Sequence, residues 1–161
     1  MSIMEDFEKF YNKALRFLSY RPRSEKEVRD RLKIKYQKSN LKDLMLIIDR
    51  VIQKLKEKKF INDEEFAKGF VESRLRFKPR SLRLIKIELK QKGIDPETIN
   101  NLQFTINDLE QAKKLVEKKI ERIKSLSKEE IYIKLGRYLA SKGFNWDTIK
   151  QVIDETLDKG V

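Results

Sequence analysis

Cysteine and histidine are both absent from this 161-residue sequence. Without cysteine there is no disulfide, no thiolate zinc site and no thiol nucleophile. Without histidine the commonest general base is missing, and Ser-His-Asp chemistry and imidazole metal ligands go with it. The five glycines form no phosphate-cradling loop. Carboxylates adjoin at Asp63-Glu64-Glu65 and at Glu129-Glu130. Each group stands where a helix is expected to begin, and acidic residues there complement the helix dipole. On these grounds no enzymatic activity, cofactor or metal is expected. Long apolar runs are missing too. The longest, Leu44 to Ile48, is far too short to cross a bilayer, and Met1 to Phe10 has no stretch of signal-peptide type. The expectation is a soluble, cytoplasmic, monomeric protein with no membrane partner; lack of cysteine suits that compartment without requiring it.

What the chain does have is positive charge and repetition. Its net charge is +12 and its pI about 9.7, which favours polyanions: nucleic acid first, then an acidic protein surface or anionic membrane. Arg21-Pro22-Arg23-Ser24 returns 57 residues later as Lys78-Pro79-Arg80-Ser81, and in that register Val28 falls on Ile85 and Leu32 on Leu89. A second echo comes after 50 residues, where Leu89, Lys92, Gly93, Thr98 and Ile99 reappear as Leu139, Lys142, Gly143, Thr148 and Ile149. Such spacing implies three supersecondary units stacked in series. Repeat arrays offer a long surface to a large partner more often than a catalytic pocket.

Apolar residues recur at helical spacing almost throughout. Phe7, Phe10, Tyr11, Ala14, Leu15 and Leu18 make one stripe; Leu41, Leu44, Met45, Ile48, Val51, Ile52 and Leu55 make another. Later stripes run through Leu109, Ala112, Val116, Ile120 and Ile123, through Ile131, Leu135, Tyr138 and Leu139, and through Trp146, Ile149, Val152, Ile153 and Leu157. Their aromatics are read as core. Ser24 with Glu27, Asn107 with Glu110 and Ser127 with Glu130 have capping-box spacing, and Asn62 with Glu65 resembles it. Asp95 before Pro96 suits an N-cap with proline at the first helical position. Gly93 and Gly143 suit left-handed C-caps. Pro22 and Pro79 suit the ends of preceding helices. The expected fold is all-α: nine helices in three tandem three-helix repeats, 5–60, 62–104 and 107–159, forming an elongated, curved array. The joins, Lys59-Phe60-Ile61-Asn62 and Gln103-Phe104-Thr105-Ile106, are not flexible linkers.

The charge is uneven. Residues 1–106 carry 26 Lys+Arg against 16 Asp+Glu, while residues 107–161 carry 12 against 10. Between Arg21 and Lys38 there are eight basic and three acidic residues; between Arg74 and Lys92 there are eight and one. Both segments surround the second helix of a repeat. With regular rotation between repeats they would form one basic track. Arg21, Arg23, Arg29 and Arg31, with Arg74, Arg76, Lys78, Arg80 and Arg83, are therefore the candidate binding residues. Arginine grips phosphate bidentately, and a same-sign cluster repels itself without a partner. Scattered lysines such as Lys54, Lys56, Lys58 and Lys59 are read as a solvated face.

The stretch Phe60-Ile61-Asn62-Asp63-Glu64-Glu65-Phe66-Ala67, with Arg74 following, resembles the signature of the RecX family, regulators of the RecA recombinase. Ala14, Leu15, Leu18, Ser19, Arg21, Ser24, Val28 and Leu32 are similar to that family's first repeat. Ile85, Glu88, Leu89, Lys92, Gly93 and Ile94 resemble its second, and Tyr138, Leu139, Lys142, Gly143 and Phe144 its closing repeat. The likeness covers about 14–153. Two places depart from it: Pro79 and Arg80 stand where a glycine is common, and Tyr36 stands near a missing glycine after the second helix.

The resemblance implies three tandem three-helix repeats and a partner, the RecA–DNA filament. It implies inhibition of filament extension or promotion of disassembly, and so reduced ATP hydrolysis and strand exchange. Contact with single- and double-stranded DNA would be electrostatic and salt-sensitive. The alternatives are a general basic nucleic-acid-binding helical protein that competes for DNA, and an adaptor for acidic proteins.

Overall fold

Ser24, Asn40, Asn107, Ser127 and Asn145 each stand one residue before a helix, and each side chain accepts a hydrogen bond from a first-turn amide. A computed structural model describes residues 3–34, 40–102 and 106–160. Tyr36, and Gln103, Phe104 and Thr105 of the second join, lie outside the described residues. Among the described residues there are nine helices and no strand. They are α1 (Ile3–Tyr20), α2 (Glu25–Lys33), α3 (Leu41–Glu57), α4 (Asp63–Phe77), α5 (Leu82–Gln91), α6 (Pro96–Asn101), α7 (Asp108–Ile120), α8 (Lys128–Ser141) and α9 (Trp146–Asp158).

The caps follow the sequence signals closely. Ser24 with Glu27 and Ser127 with Glu130 form complete capping boxes. Asn62 and Asn107 form only half of one: each accepts from the amide three residues on, but its own backbone amide does not donate to the glutamate side chain. Asp95 Oδ1 accepts from the Thr98 amide at 2.9 Å, with Pro96 opening α6.

Among the described residues three helices end in Schellman turns. In α5 the Gly93 amide donates to the Lys90 carbonyl and the Ile94 amide to that of Leu89. In α8 the pairs are Gly143 to Ala140 and Phe144 to Leu139; in α3 they are Lys59 to Lys56 and Phe60 to Leu55. The pivot residue has positive φ in each case: 80° at Gly93, 87° at Gly143 and 60° at Lys59. The first two are glycines, which take that conformation without a Cβ clash. Lys59 takes it at a cost.

The chain divides into two compact units, Met1–Gly69 with Leu89–Asn101 and Phe70–Glu88 with Leu102–Val161. In the first, α1 packs on α3 and α2 packs on both, around Phe10, Val28, Leu32, Ile48 and Leu55. In the second, α7 and α8 pack on α9, around Val116, Leu135, Leu139, Val152 and Ile153. Each such side chain contributes roughly 1.5–3 kcal/mol on burial.

Two expected core positions are exposed instead. Leu41 is 70% and Trp146 58% accessible. Each is the first residue of its helix, directly after a capping asparagine. Periodicity places it on the apolar face, yet its side chain is left mostly in water. Trp146 packs edge-on against Tyr132 at 6.1 Å. Ile123 departs differently: α7 stops at Ile120, yet Ile123 is buried from the following turn.

Candidate nucleic-acid interface

Most of the candidate arginines lie around the start of α2 or α5, and the same joint fixes both starts. Asn62-Asp63 and Asn107-Asp108 divide their work. The asparagine caps its own helix. The aspartate reaches back to the helix before: Asp63 Oδ1 accepts from the Glu25 amide at 2.8 Å, and Asp108 Oδ1 from the Leu82 amide at 2.9 Å. Each thereby satisfies one of the four free amides at a helix start. Burial, with Glu25 and Asp95 nearby, pushes the Asp63 carboxyl above its usual value, against the Glu25 amide and Lys56.

The second element of the joint is a Lys-Gly turn. In the first unit the Ser24 hydroxyl donates to the Lys92 carbonyl at 2.6 Å, because the Ser24 amide is already given to Glu27 at 3.0 Å. In the second unit Leu84 stands where Glu27 stood. The Ser81 amide is thus free to donate to the Lys142 carbonyl directly, at 3.0 Å, and the Ser81 hydroxyl accepts from the Leu84 amide. One residue decides which serine group makes the joint. The approach is close in both places. A Cβ on Gly93 would stand 2.5 Å from Lys26 Cβ, and one on Gly143 2.5 Å from Ser81 Oγ and 2.7 Å from Leu84 Cβ.

Glu27 is the charged hub of the first joint. It receives Arg21 at 2.7 Å and Lys92 at 2.9 Å. Burial works against its charge, but Arg21, Lys92 and the Ser24 amide outweigh it, and the carboxyl falls to about 2. Arg29 is also tied, to Glu25 at 2.9 Å and Asp49 at 2.6 Å. Arg23 and Arg31 instead face the Phe17 ring, 4.0 Å and 5.4 Å from its centre.

The 57-residue register carries Phe17, Arg23 and Arg31 onto Arg74, Arg80 and Glu88. These three meet as well. Arg74 pairs with Glu88 at 2.9 Å and also lies over the Phe70 ring, and Arg80 pairs with the other Glu88 oxygen. The arginine common to both triads, Arg23 or Arg80, has a buried Nε without a hydrogen-bond partner.

The nine candidates therefore separate. Arg21, Arg29, Arg74 and Arg80 are held by carboxylates of their own unit, so the self-repulsion expected of these clusters is relieved internally. Arg76, Lys78 and Arg83 are exposed and make no ion pair among the described residues. All three are in the second unit. The joint residues Asp63, Asp108, Lys92 and Lys142 were not singled out for this role by the sequence reading; the repeated Asn-Asp pair was the available signal. No group of three or more carboxylates able to hold a metal occurs among the described residues. Nor is any described helix long and apolar enough to cross a membrane.

Fold and joint define an all-α protein of tandem three-helix domains. Family models for the first, second and third three-helix domains of RecX match residues 11–37, 62–101 and 107–153. The chain belongs to the RecX family. It is 37% identical over 155 residues to the regulatory protein RecX of Bacillus velezensis, covering 94% of this chain and 57% of the relative. It is 33% identical to that of Clostridioides difficile, covering 96% and 71%. It thus spans little more than half the length of the Bacillus velezensis relative. The crystal structure of RecX from Lactobacillus salivarius superposes with a TM-score of 0.72 at 30% identity, covering 94% of this chain and 97% of that one.

Proposed function

We propose that this protein is a negative modulator of the RecA recombinase. It binds the RecA–DNA filament as a monomer in the cytoplasm, through repeats 5–60, 62–104 and 107–159. It restrains filament extension, ATP hydrolysis and strand exchange, and performs no catalysis itself. The observation that carries this reading is the match of all three RecX domains along one chain. The free cations Arg76, Lys78 and Arg83 support a DNA-facing side, since cations held by internal carboxylates contribute less to phosphate binding. A second reading, simple competition for DNA, is favoured by the +12 charge alone.

The test is RecA ATP hydrolysis on single-stranded DNA, with this protein titrated far below the DNA-site concentration. Strong inhibition at such ratios is expected. Inhibition only as DNA approaches saturation would leave competition for DNA as the activity, and no effect would remove the modulator reading.

A further inference from the structure

The 57-residue repeat extends one residue further back than its basic part. Tyr20 falls on Phe77, so the repeated element is aromatic, basic, Pro, Arg, Ser. Tyr20 ends α1 and Phe77 ends α4. Both rings stand in water, 77% and 68% accessible, and neither belongs to a core cluster. The serine and proline of the element have structural work; the aromatics have none of that kind. An exposed ring at the same place in two repeats marks a contact surface.

The surroundings indicate what it contacts. From Ser73 to Ile87 the chain carries six cations, of which Arg74 and Arg80 pair with Glu88, and from Lys9 to Ser24 five, of which Arg21 pairs with Glu27. The Arg76 guanidinium lies 5.8 Å from the Phe77 ring centre, and Lys78 follows it. Arg16, one turn before Tyr20 on α1, is exposed and makes no ion pair among the described residues. A ring flanked by free cations suits a nucleobase with its phosphates: the base stacks on the ring and the cations meet the backbone. A duplex keeps its base faces stacked inside, so the ligand is a single strand.

We propose that Tyr20 and Phe77 are base-stacking residues for single-stranded nucleic acid. This deepens the DNA side of the function proposed above and rests on it only for biological setting. The first part of the test needs no recombinase. Anisotropy titrations of the full chain compare an oligothymidylate with an abasic oligonucleotide of equal length at one salt concentration. The protein is expected to prefer the base-bearing strand, on the order of tenfold per ring. Tyr20→Ala with Phe77→Ala should remove that preference while leaving abasic affinity within about twofold, since phosphate contacts are untouched. Phe77→Trp should retain it. Unfolding midpoints measured alongside show whether the variants stay folded, and Phe77→Leu separates loss of the ring from loss of bulk. Equal affinity of the unmodified protein for both strands would overturn the proposal. So would a double variant that keeps its DNA preference but loses inhibition of RecA, which would give the rings to a protein partner. Loss of preference in the double variant sustains stacking even if RecA is unaffected by the parent chain.

Discussion

Gly143→Ala should be among the most damaging single-methyl additions in this protein, and its cost can be built from three parts. At φ 87° an alanine carries left-handed strain of about 1–2 kcal/mol. Its Cβ would stand 2.7 Å from Leu84 Cβ, an atom next to the α5 backbone that cannot rotate away, adding about 1–3 kcal/mol of overpacking. Relief by separation weakens the 3.0 Å bond from the Ser81 amide to the Lys142 carbonyl, worth about 1 kcal/mol. Lower unfolded-state entropy returns about 0.4–1 kcal/mol. The parts are not additive, and the expected loss is about 3 kcal/mol. Gly136, seven residues earlier inside α8, has nothing within 4 Å of a built Cβ. Gly136→Ala should stabilise by about 0.5–1 kcal/mol. Trp146 is the single tryptophan and lies in the same unit, so urea unfolding followed by its fluorescence reads both variants. A Gly143→Ala midpoint matching a loss under 0.5 kcal/mol would refute the close joint.

Further outcomes follow from the caps and the charged hub. Glu27 has its carboxyl near 2, below the ordinary 4.5, so its contribution is present above about pH 4.5 and is lost as pH falls through 2. A shift of that size in a dry site is about 3 kcal/mol; partial access of water reduces it to about 1–2 kcal/mol. Glu27→Gln should lose that much at pH 7 and show a flatter acid limb in pH-dependent denaturation; an unchanged limb would contradict it. Asp63 is shifted the other way, so its ionisation weakens the fold as pH rises through its raised value. Asp63→Asn keeps an acceptor for the Glu25 amide and should gain relative to the parent as pH rises through that raised value, whereas Asp63→Ala should cost about 1 kcal/mol. Equal stability of the two variants would deny the cap. Lys59→Gly should stabilise by about 0.5–1 kcal/mol by relieving its left-handed pivot, and thermal melting showing a loss would count against that strain.

Local signals were legible in the sequence because their partners are local. Ser24 and Glu27 are three residues apart, and the Schellman glycines act within one turn, so spacing alone located helix ends. The joint was not legible in the same way. Ser24 reaches Lys92 across 68 residues and Glu25 reaches Asp63 across 38, and no periodicity encodes such a meeting. Stripe reading placed Leu41 and Trp146 on the apolar face but gave no sign that their side chains are left exposed. Charge counting found the basic segments and missed how they are neutralised. Glu88 is one carboxylate among eight cations, yet its two oxygens hold both Arg74 and Arg80.

The repeated Arg/Lys-Pro-Arg-Ser element marks the repeat and holds four of the nine candidate binding residues, but much of its recurrence has a structural cause. The proline follows the end of one helix, and the serine both starts the next and receives the Lys-Gly turn. What differs between the two copies is then more informative about binding than what is shared. Arg21 and Lys78 occupy the same place in the register. Arg21 is held by Glu27; Lys78 has Leu84 at the matching position and meets no carboxylate there. The same replacement that moves the joint from the serine hydroxyl to the serine amide therefore also releases a cation. Arg76 and Arg83 flank it without ion pairs among the described residues. Conversely, Glu88 at the place of Arg31 draws Arg74 and Arg80 inward. The second copy thus uses two arginines in its own structure and leaves Arg76, Lys78 and Arg83 exposed without ion pairs among the described residues, which is why the proposed DNA-facing side runs through these three rather than through the ion-paired Arg21, Arg29, Arg74 and Arg80.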